Sequence, residues 1–297
     1  MARHILNIES LGEKASWLLV QQALGMPEAK MQSDFMTQRV ALLVFSQHSL
    51  PERLCVSAAV RQMGGAVVYE GNRGIWRTEM SDYQEHLLPV FSYYIDCMYM
   101  YGMPVAGWDM EATCQRFPII NAGSPDAHPA HVLADIACML RNSRYMDSVT
   151  CGWVGCVNGT LRSLMAATAW FPFKLRIALP SREDPAPIRE AAARYGSRIT
   201  IVESAEEAVQ GVNYVFAGCR SGLTDDERDS WRVTPELFAK AACDAHLMLS
   251  ATPVAAIGVD GAILASKASL LVQQAEYRLR VHKRMLHWVF LDNESEI

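Results

Sequence analysis

No block of basic residues occurs anywhere in this 297-residue chain, and its formal net charge is −5. Phosphate backbones are gripped by clustered Lys and Arg, so nucleic acid is not an expected partner. No apolar run approaches the roughly 20 residues that span a bilayer. The start, Met1-Ala2-Arg3-His4, leads to Glu9 and Glu13 rather than to an apolar signal core. No two of the eight cysteines form a C-x-x-C pair, and no clustered ligand spacing marks a zinc site. Most cysteines lie in apolar stretches such as Ile136-Ala137-Cys138-Met139, the pattern of small buried thiols in a reducing compartment. Low-complexity sequence and short internal repeats are also missing. These absences predict a soluble, cytoplasmic protein with no membrane segment, no metal and no cofactor. What is present, 51% hydrophobic and 20% charged residues, suffices to bury a substantial core.

The pattern along the chain is β–α alternation. Ser10-Leu11-Gly12-Glu13 reads as an S-x-x-E capping box opening a first helix that ends near Gly25. Val40 to Phe45 is a continuous apolar run, as in a strand covered on both faces. A helix follows from about Leu50 to Met63, stopped by Gly64-Gly65. Further strands are predicted at 66–69, 97–100 and 118–121, with helices over 82–92 and 128–142. The second half repeats the alternation, with strands near 149–154, 175–179, 199–202, 214–216 and 247–249. One long helix, Ser266 to Phe290, closes the chain with Leu270, Leu271, Ala275, Leu279, Met285 and Val289 along its apolar side. Such alternation predicts parallel sheets flanked by helices, with ligands beyond the carboxyl ends of the strands. The loops after Phe45, Asn121 and Val154 therefore matter most.

Several stretches, in order, carry a resemblance to a known family. Val40 to Arg53 (VALLVFSQHSLPER) occupies the place of a motif ending S-T-R-T-R. Pro118 to Asp135 resembles a segment reading P-V-I-N followed by H-P-x-Q. Trp153-Val154-Gly155 with Asn158, the segment Leu247 to Pro253, and Ser269 to Val281 with Gln273, Glu276 and Arg278 continue the match. On these residues the chain resembles the aspartate/ornithine carbamoyltransferases along nearly its whole length. The resemblance implies two Rossmann-like α/β domains, 1–144 plus 268–297 and 145–267, with the C-terminal helix returning to the first. It also implies a trimer, a carbamoyl-phosphate domain followed by an amino-acid domain, and a cleft completed by a neighbouring subunit.

The donor motifs depart from that family. Ser49 and Arg53 match the ends of S-T-R-T-R, but Leu50, Pro51 and Glu52 replace the residues between. Tyr101 stands for an Arg, His131 for the Gln of H-P-x-Q, and Ser250 and Ala251 for a His-Cys pair. Ser49 to Glu52 itself reads as a capping box with Pro in the first turn, so its carboxylate competes with an incoming phosphate. Ser49 and His128 are the candidate catalytic residues. Arg53, Arg73, Arg77, Tyr101 and His131 are candidates for anion binding; Arg73 and Arg77 are equally readable as a surface loop. His128 and His131, one helical turn apart, share a face, but the sequence offers no third metal ligand. Asn158, Arg162 and Arg220 are candidates for binding an acceptor carboxylate, or for surface and interdomain ion pairs. The reading is a divergent transferase of specialised metabolism that takes a small amino acid or carboxylate in its interdomain cleft. Carbamoyl phosphate is the one candidate co-substrate, disfavoured by Glu52, and a non-catalytic scaffold or regulatory partner is the alternative.

Overall fold

The computed structural model describes residues 2–70, 88–105, 114–181, 183–218, 223–250 and 258–291. The chain divides into two compact units, 1–134 with 276–297, and 135–275. The cuts fall inside two helices, whereas the sequence reading placed them in the flanking loops at 144/145 and 267/268.

The first unit carries a four-stranded sheet of order β2-β1-β3-β4, with β1 Val40–Phe45, β2 Ala66–Glu70, β3 Cys97–Tyr101 and β4 Ile119–Gly123, paired in parallel throughout. Helix α1 (Ile8–Leu24) precedes β1, and α2 (Leu50–Gln62) crosses from β1 to β2. The strand order reverses between β1 and β3, so the loops leaving their carboxyl ends diverge and open a crevice there. β1 and β3 are buried nearly end to end because both faces are covered, whereas edge strand β2 is largely open. A core of Leu42, Val44, Met98, Met100, Phe117 and Ile119 packs on one face.

The second unit has five parallel strands in the order β7-β6-β5-β8-β9: β5 Thr150–Val154, β6 Lys174–Ala178, β7 Ile199–Val202, β8 Tyr214–Ala217 and β9 His246–Leu249. Its order reverses between β5 and β8, where α4 (Gly159–Ala167) starts. Helix α3 (Pro129–Asn142) begins in the first unit and ends in the second. The helices α5 (Ala186–Ala193), α6 (Ala205–Val209), α7 (Asp225–Ser230), α8 (Pro235–Phe238) and α9 (Gly261–Leu264) complete this unit, and α10 (Leu271–Phe290) passes back into the first. Among the described residues, no helix is long and apolar enough to cross a membrane. Seven cysteines among the described residues form no disulfide, and five of them are buried.

Two local expectations are corrected. The cap of α1 is Asn7, whose side chain accepts from the Ser10 amide at 2.7 Å. Gly12, at φ 77, is non-helical and interrupts the proposed Ser10–Glu13 box. The closing helix is not simply apolar on its inner side. Ala275 is exposed and Leu279 half-buried, while Gln274, Arg278, Arg280, His282 and Lys283 are all buried. In the first unit, Lys283 donates to the carbonyls of Ala29 (2.7 Å) and Met31 (2.6 Å), and Arg280 donates to those of Ala23 and Met26. Arg280 thus meets carbonyls at the end of α1, where the helix dipole also favours a cation, and Lys283 meets those of the loop that follows.

Both glutamines of the closing helix make fold contacts: Gln273 accepts from the Asn142 side chain at 2.8 Å, and Gln274 is the buried one. Fully buried in the second unit, it donates to Asp135 Oδ1 (2.7 Å) and the Leu249 carbonyl (3.1 Å) and accepts from the Leu249 amide (3.0 Å). Replacing Gln274 by Leu strands those groups, each worth about 1–3 kcal/mol when buried without a partner. Urea unfolding of Gln274→Leu is expected to show a loss of about 3 kcal/mol; a loss below about 0.5 kcal/mol contradicts this role.

Candidate functional site

The site is built at the carboxyl ends of β1, β3 and β4. Past β1 the chain enters α2 through Ser49, an N-cap residue with extended backbone (φ −144, ψ 100) that is 6% exposed. Its hydroxyl makes no capping bond and no other hydrogen bond among the described residues. Glu52, 2% exposed in the first turn, does not reach back to the Ser49 amide. Its Oε1 lies 2.7 Å from Nε2 of His131 instead. The capping-box expectation therefore fails here, and for a physical reason. A buried carboxylate gains more from an imidazole N–H in a dry setting than from an amide at a helix start.

His131 is on α3, and His128 stands immediately before it. The turn that delivers them is knit by Asn121, which donates to the carbonyls of Leu6 (2.8 Å) and Ala127 (3.1 Å) and accepts from the Gly123 amide (2.9 Å). Ser124 donates to the Ala127 carbonyl and accepts from the Ala127 amide, both at 2.9 Å. The β3–β4 register shifts at Met100/Tyr101, so that Tyr101 sits across from Gly123. Gly123 holds φ at +140, and a Cβ there would lie 2.5 Å from His128 Nε2. Only glycine leaves room for this ring. The His128 and His131 rings stack with centroids 3.5 Å apart and planes 19° apart. Tyr101 meets His128 edge-on at 6.5 Å and stacks on Phe45 at 5.0 Å.

Burial governs the ionisation of this cluster. His128 is pushed well below the usual histidine range by burial first and by His131 second, against an opposing pull from Glu52. His282 of α10, fully buried and edge-on to Tyr99 at 5.6 Å, is lowered to about 4, again mainly by burial, with Arg278 adding to it and Glu52 opposing. Cys55, one turn beyond Glu52, is raised to about 12 by burial and by the carboxylate. His128 and His282 are therefore neutral at neutral pH, able to donate or accept but carrying no charge.

Comparison with known proteins was decisive for the family. Residues 3–141 match the carbamoyl-P binding domain of the aspartate/ornithine carbamoyltransferases, and residues 147–289 match their Asp/Orn binding domain. The chain belongs to the aspartate/ornithine carbamoyltransferase family. The ornithine carbamoyltransferase of Nitratidesulfovibrio vulgaris is 26% identical over 305 residues, spanning 98% of this chain and all of that one. That of Pseudomonas syringae pv. tomato is 27% identical over 304 residues, spanning 97% of each. Among solved structures, the ornithine carbamoyltransferase of Thermus thermophilus superimposes with a TM-score of 0.85 at 20% identity, covering 98% of this chain and 100% of that one. The mitochondrial enzyme of Coccidioides immitis does so at 0.83 and 22%, covering 97% of each. At these identities the superpositions speak for the fold.

In this family member the structure gathers Ser49, Tyr101, His128 and His131, together with Glu52, in the first unit. Arg53 is turned elsewhere, its guanidinium 4.7 Å over the Tyr69 ring on edge strand β2. Arg73, Arg77 and Arg220 lie outside the described residues. In the second unit Asn158 caps α4 by accepting from the Leu161 amide at 2.9 Å, and Arg162 is exposed on that helix. The open cavity of the second unit, lined by Ser143, Tyr214, Asp244, His246 and Lys267, lies at the amino-terminal ends of β8 and β9 and contains none of the expected ligand residues. The sequence reading missed the Glu52–His131 bond, Tyr99, Arg278 and His282. Polar residues at 274, 278 and 282, spaced by four on an otherwise amphipathic helix, were the available signal for the last two.

His282 gives this cluster a pH signature. Its folded-state value is lowered, so between about pH 6.5 and 4 the unfolded chain takes up a proton that the folded one refuses. Stability is complete above that window and falls as the pH drops through it. The expected loss from His282 is about 3 kcal/mol between pH 7 and 4. Urea midpoints across that range are expected to fall more steeply for the native chain than for His282→Leu; identical slopes contradict the assignment.

Proposed function

We propose that this chain is a divergent carbamoyltransferase-family transferase. It binds a small amino acid or carboxylate and transfers a carbamoyl or related group to an amino nitrogen, with His128 and Ser49 at the reacting centre. The observation carrying this reading is the buried, neutral His128 at the end of β4, held by a turn in which Gly123 makes room for its ring. Buried polar groups gathered at the carboxyl ends of parallel strands, with a shifted ionisation, are what an active site requires and what a scaffold has no use for. A neutral imidazole there donates a hydrogen bond to a carbonyl oxygen as negative charge develops on it. Ser49, with a buried hydroxyl uncommitted among the described residues, is a second donor at the start of α2.

The donor pocket is rebuilt rather than inherited. Glu52 places a carboxylate in the first turn of α2, where a helix would otherwise favour an anion. This same observation supports the second reading, a non-catalytic trimeric partner or sensor that keeps the scaffold without the chemistry. The two are separated by incubating the chain with carbamoyl phosphate and a panel of amino acids while following phosphate release. The transferase reading expects release that depends on one amino acid and falls on the order of 100-fold in His128→Ala. No release above background, together with no calorimetric binding of any carboxylate, establishes the scaffold reading instead.

A further inference from the structure

We propose that Glu52, His128 and His131 form a binding site for one divalent transition-metal ion of the zinc class. One ligand atom from each lies within 4.8 Å of those of the other two, and all three side chains are buried. The set draws on two elements 79 residues apart in sequence, α2 and the start of α3, so no local motif announces it. The sequence reading expected no metal because it lacked a third ligand; Glu52 is that ligand.

Two observations point to an occupant. Oε2 of Glu52 is buried and has no hydrogen-bond partner among the described residues. The Ser49 hydroxyl, on the same helical turn and also buried, has none either. Uncommitted oxygens in a dry setting are costly unless something fills the space between them. The histidines suit the role because each offers a ring nitrogen within 4.8 Å of the Glu52 carboxylate. In a tetrahedral zinc site with bonds of about 2.0–2.1 Å, ligand atoms stand about 3.3 Å apart. To reach this geometry the stacked His128 and His131 rings turn out of their near-parallel arrangement so that one nitrogen of each aims at a common ion, and the 2.7 Å contact between Glu52 and His131 opens. The ion takes the place of the proton those two groups share.

Two imidazole nitrogens with a single carboxylate select zinc, cobalt or nickel over magnesium and calcium, which need more oxygen ligands. Three protein ligands leave a fourth position open, and an anionic oxygen, carboxylate or phosphoryl, is the ligand such a position takes. Arg278, close enough to depress both His128 and His282, opposes the ion and limits its affinity. The site shares His128 with the proposed reacting centre, but metal binding and phosphate release are separate readouts, and each can fail without the other.

The test is calorimetric titration of the full, metal-stripped chain with zinc chloride, cobalt chloride and magnesium chloride, without any substrate. One zinc or cobalt ion per chain is expected, with cobalt showing visible ligand-field bands and no thiolate charge-transfer band. Glu52→Gln, an isostere that keeps the hydrogen bond to His131, is expected to weaken zinc on the order of 100-fold while circular dichroism shows it folded. Zinc is expected to raise the melting temperature of the native chain and not that of Glu52→Gln. No stoichiometric zinc binding, equal binding by folded Glu52→Gln, a thiolate band, or magnesium binding as tight as zinc each overturns the proposal.

Discussion

The bond between Glu52 and His131 joins the first turn of one helix to the first turn of another, inside the first unit and out of water. Their side chains are 3% and 1% exposed, and the contact is 2.7 Å. A buried charge is tolerated only when it is paired and hydrogen-bonded, so neither residue can be read alone. Glu52 draws His131 inward, His131 stacks on His128, and Gly123 leaves the room that His128 occupies.

That pairing is set into a framework that belongs to the family's fold. The β1–α2 turn, the knitted turn from Asn121 to His128 and the closing helix are framework features held by backbone bonds and buried carbonyl partners. They survive changes in the side chains that face the crevice. At the start of α2 the chain has substituted a carboxylate and answered it with an imidazole, so the local field is set by a hydrogen-bonded pair rather than by a free cation. Around it, burial holds His128 and His282 neutral, so the charges of the centre rest on Glu52 and Arg278.

Much of the fold was legible in the sequence because strands covered on both faces appear as unbroken apolar runs. Val40 to Phe45 is the clearest case. The β-α order and the family motifs gave most of the remaining strands. The short helices α7 and α9 were not seen, because six and four residues are too few to show a helical period. In the site, His128 and Ser49 were named as catalytic candidates and His131 and Tyr101 as anion-binding ones, and the structure places all four at the carboxyl ends of β1, β3 and β4. Glu52 was seen, but its partner was misassigned: S-x-x-E is a local pattern, and the real partner lies 79 residues away. Gln274, Arg278 and His282 were hidden because polar residues on an amphipathic helix read as its solvent side until a partner is known.

The coupling between Glu52 and His131 is measured most directly by a double-mutant cycle in urea, using Glu52→Leu, His131→Leu and the double variant at pH 7. A buried, charge-assisted bond predicts a coupling energy of about 1.5–3 kcal/mol, with the double variant less damaged than the sum of the singles. Additive losses, with a coupling near zero, would mean that the two side chains merely lie side by side, and the account of this site built on their bond would fall with it.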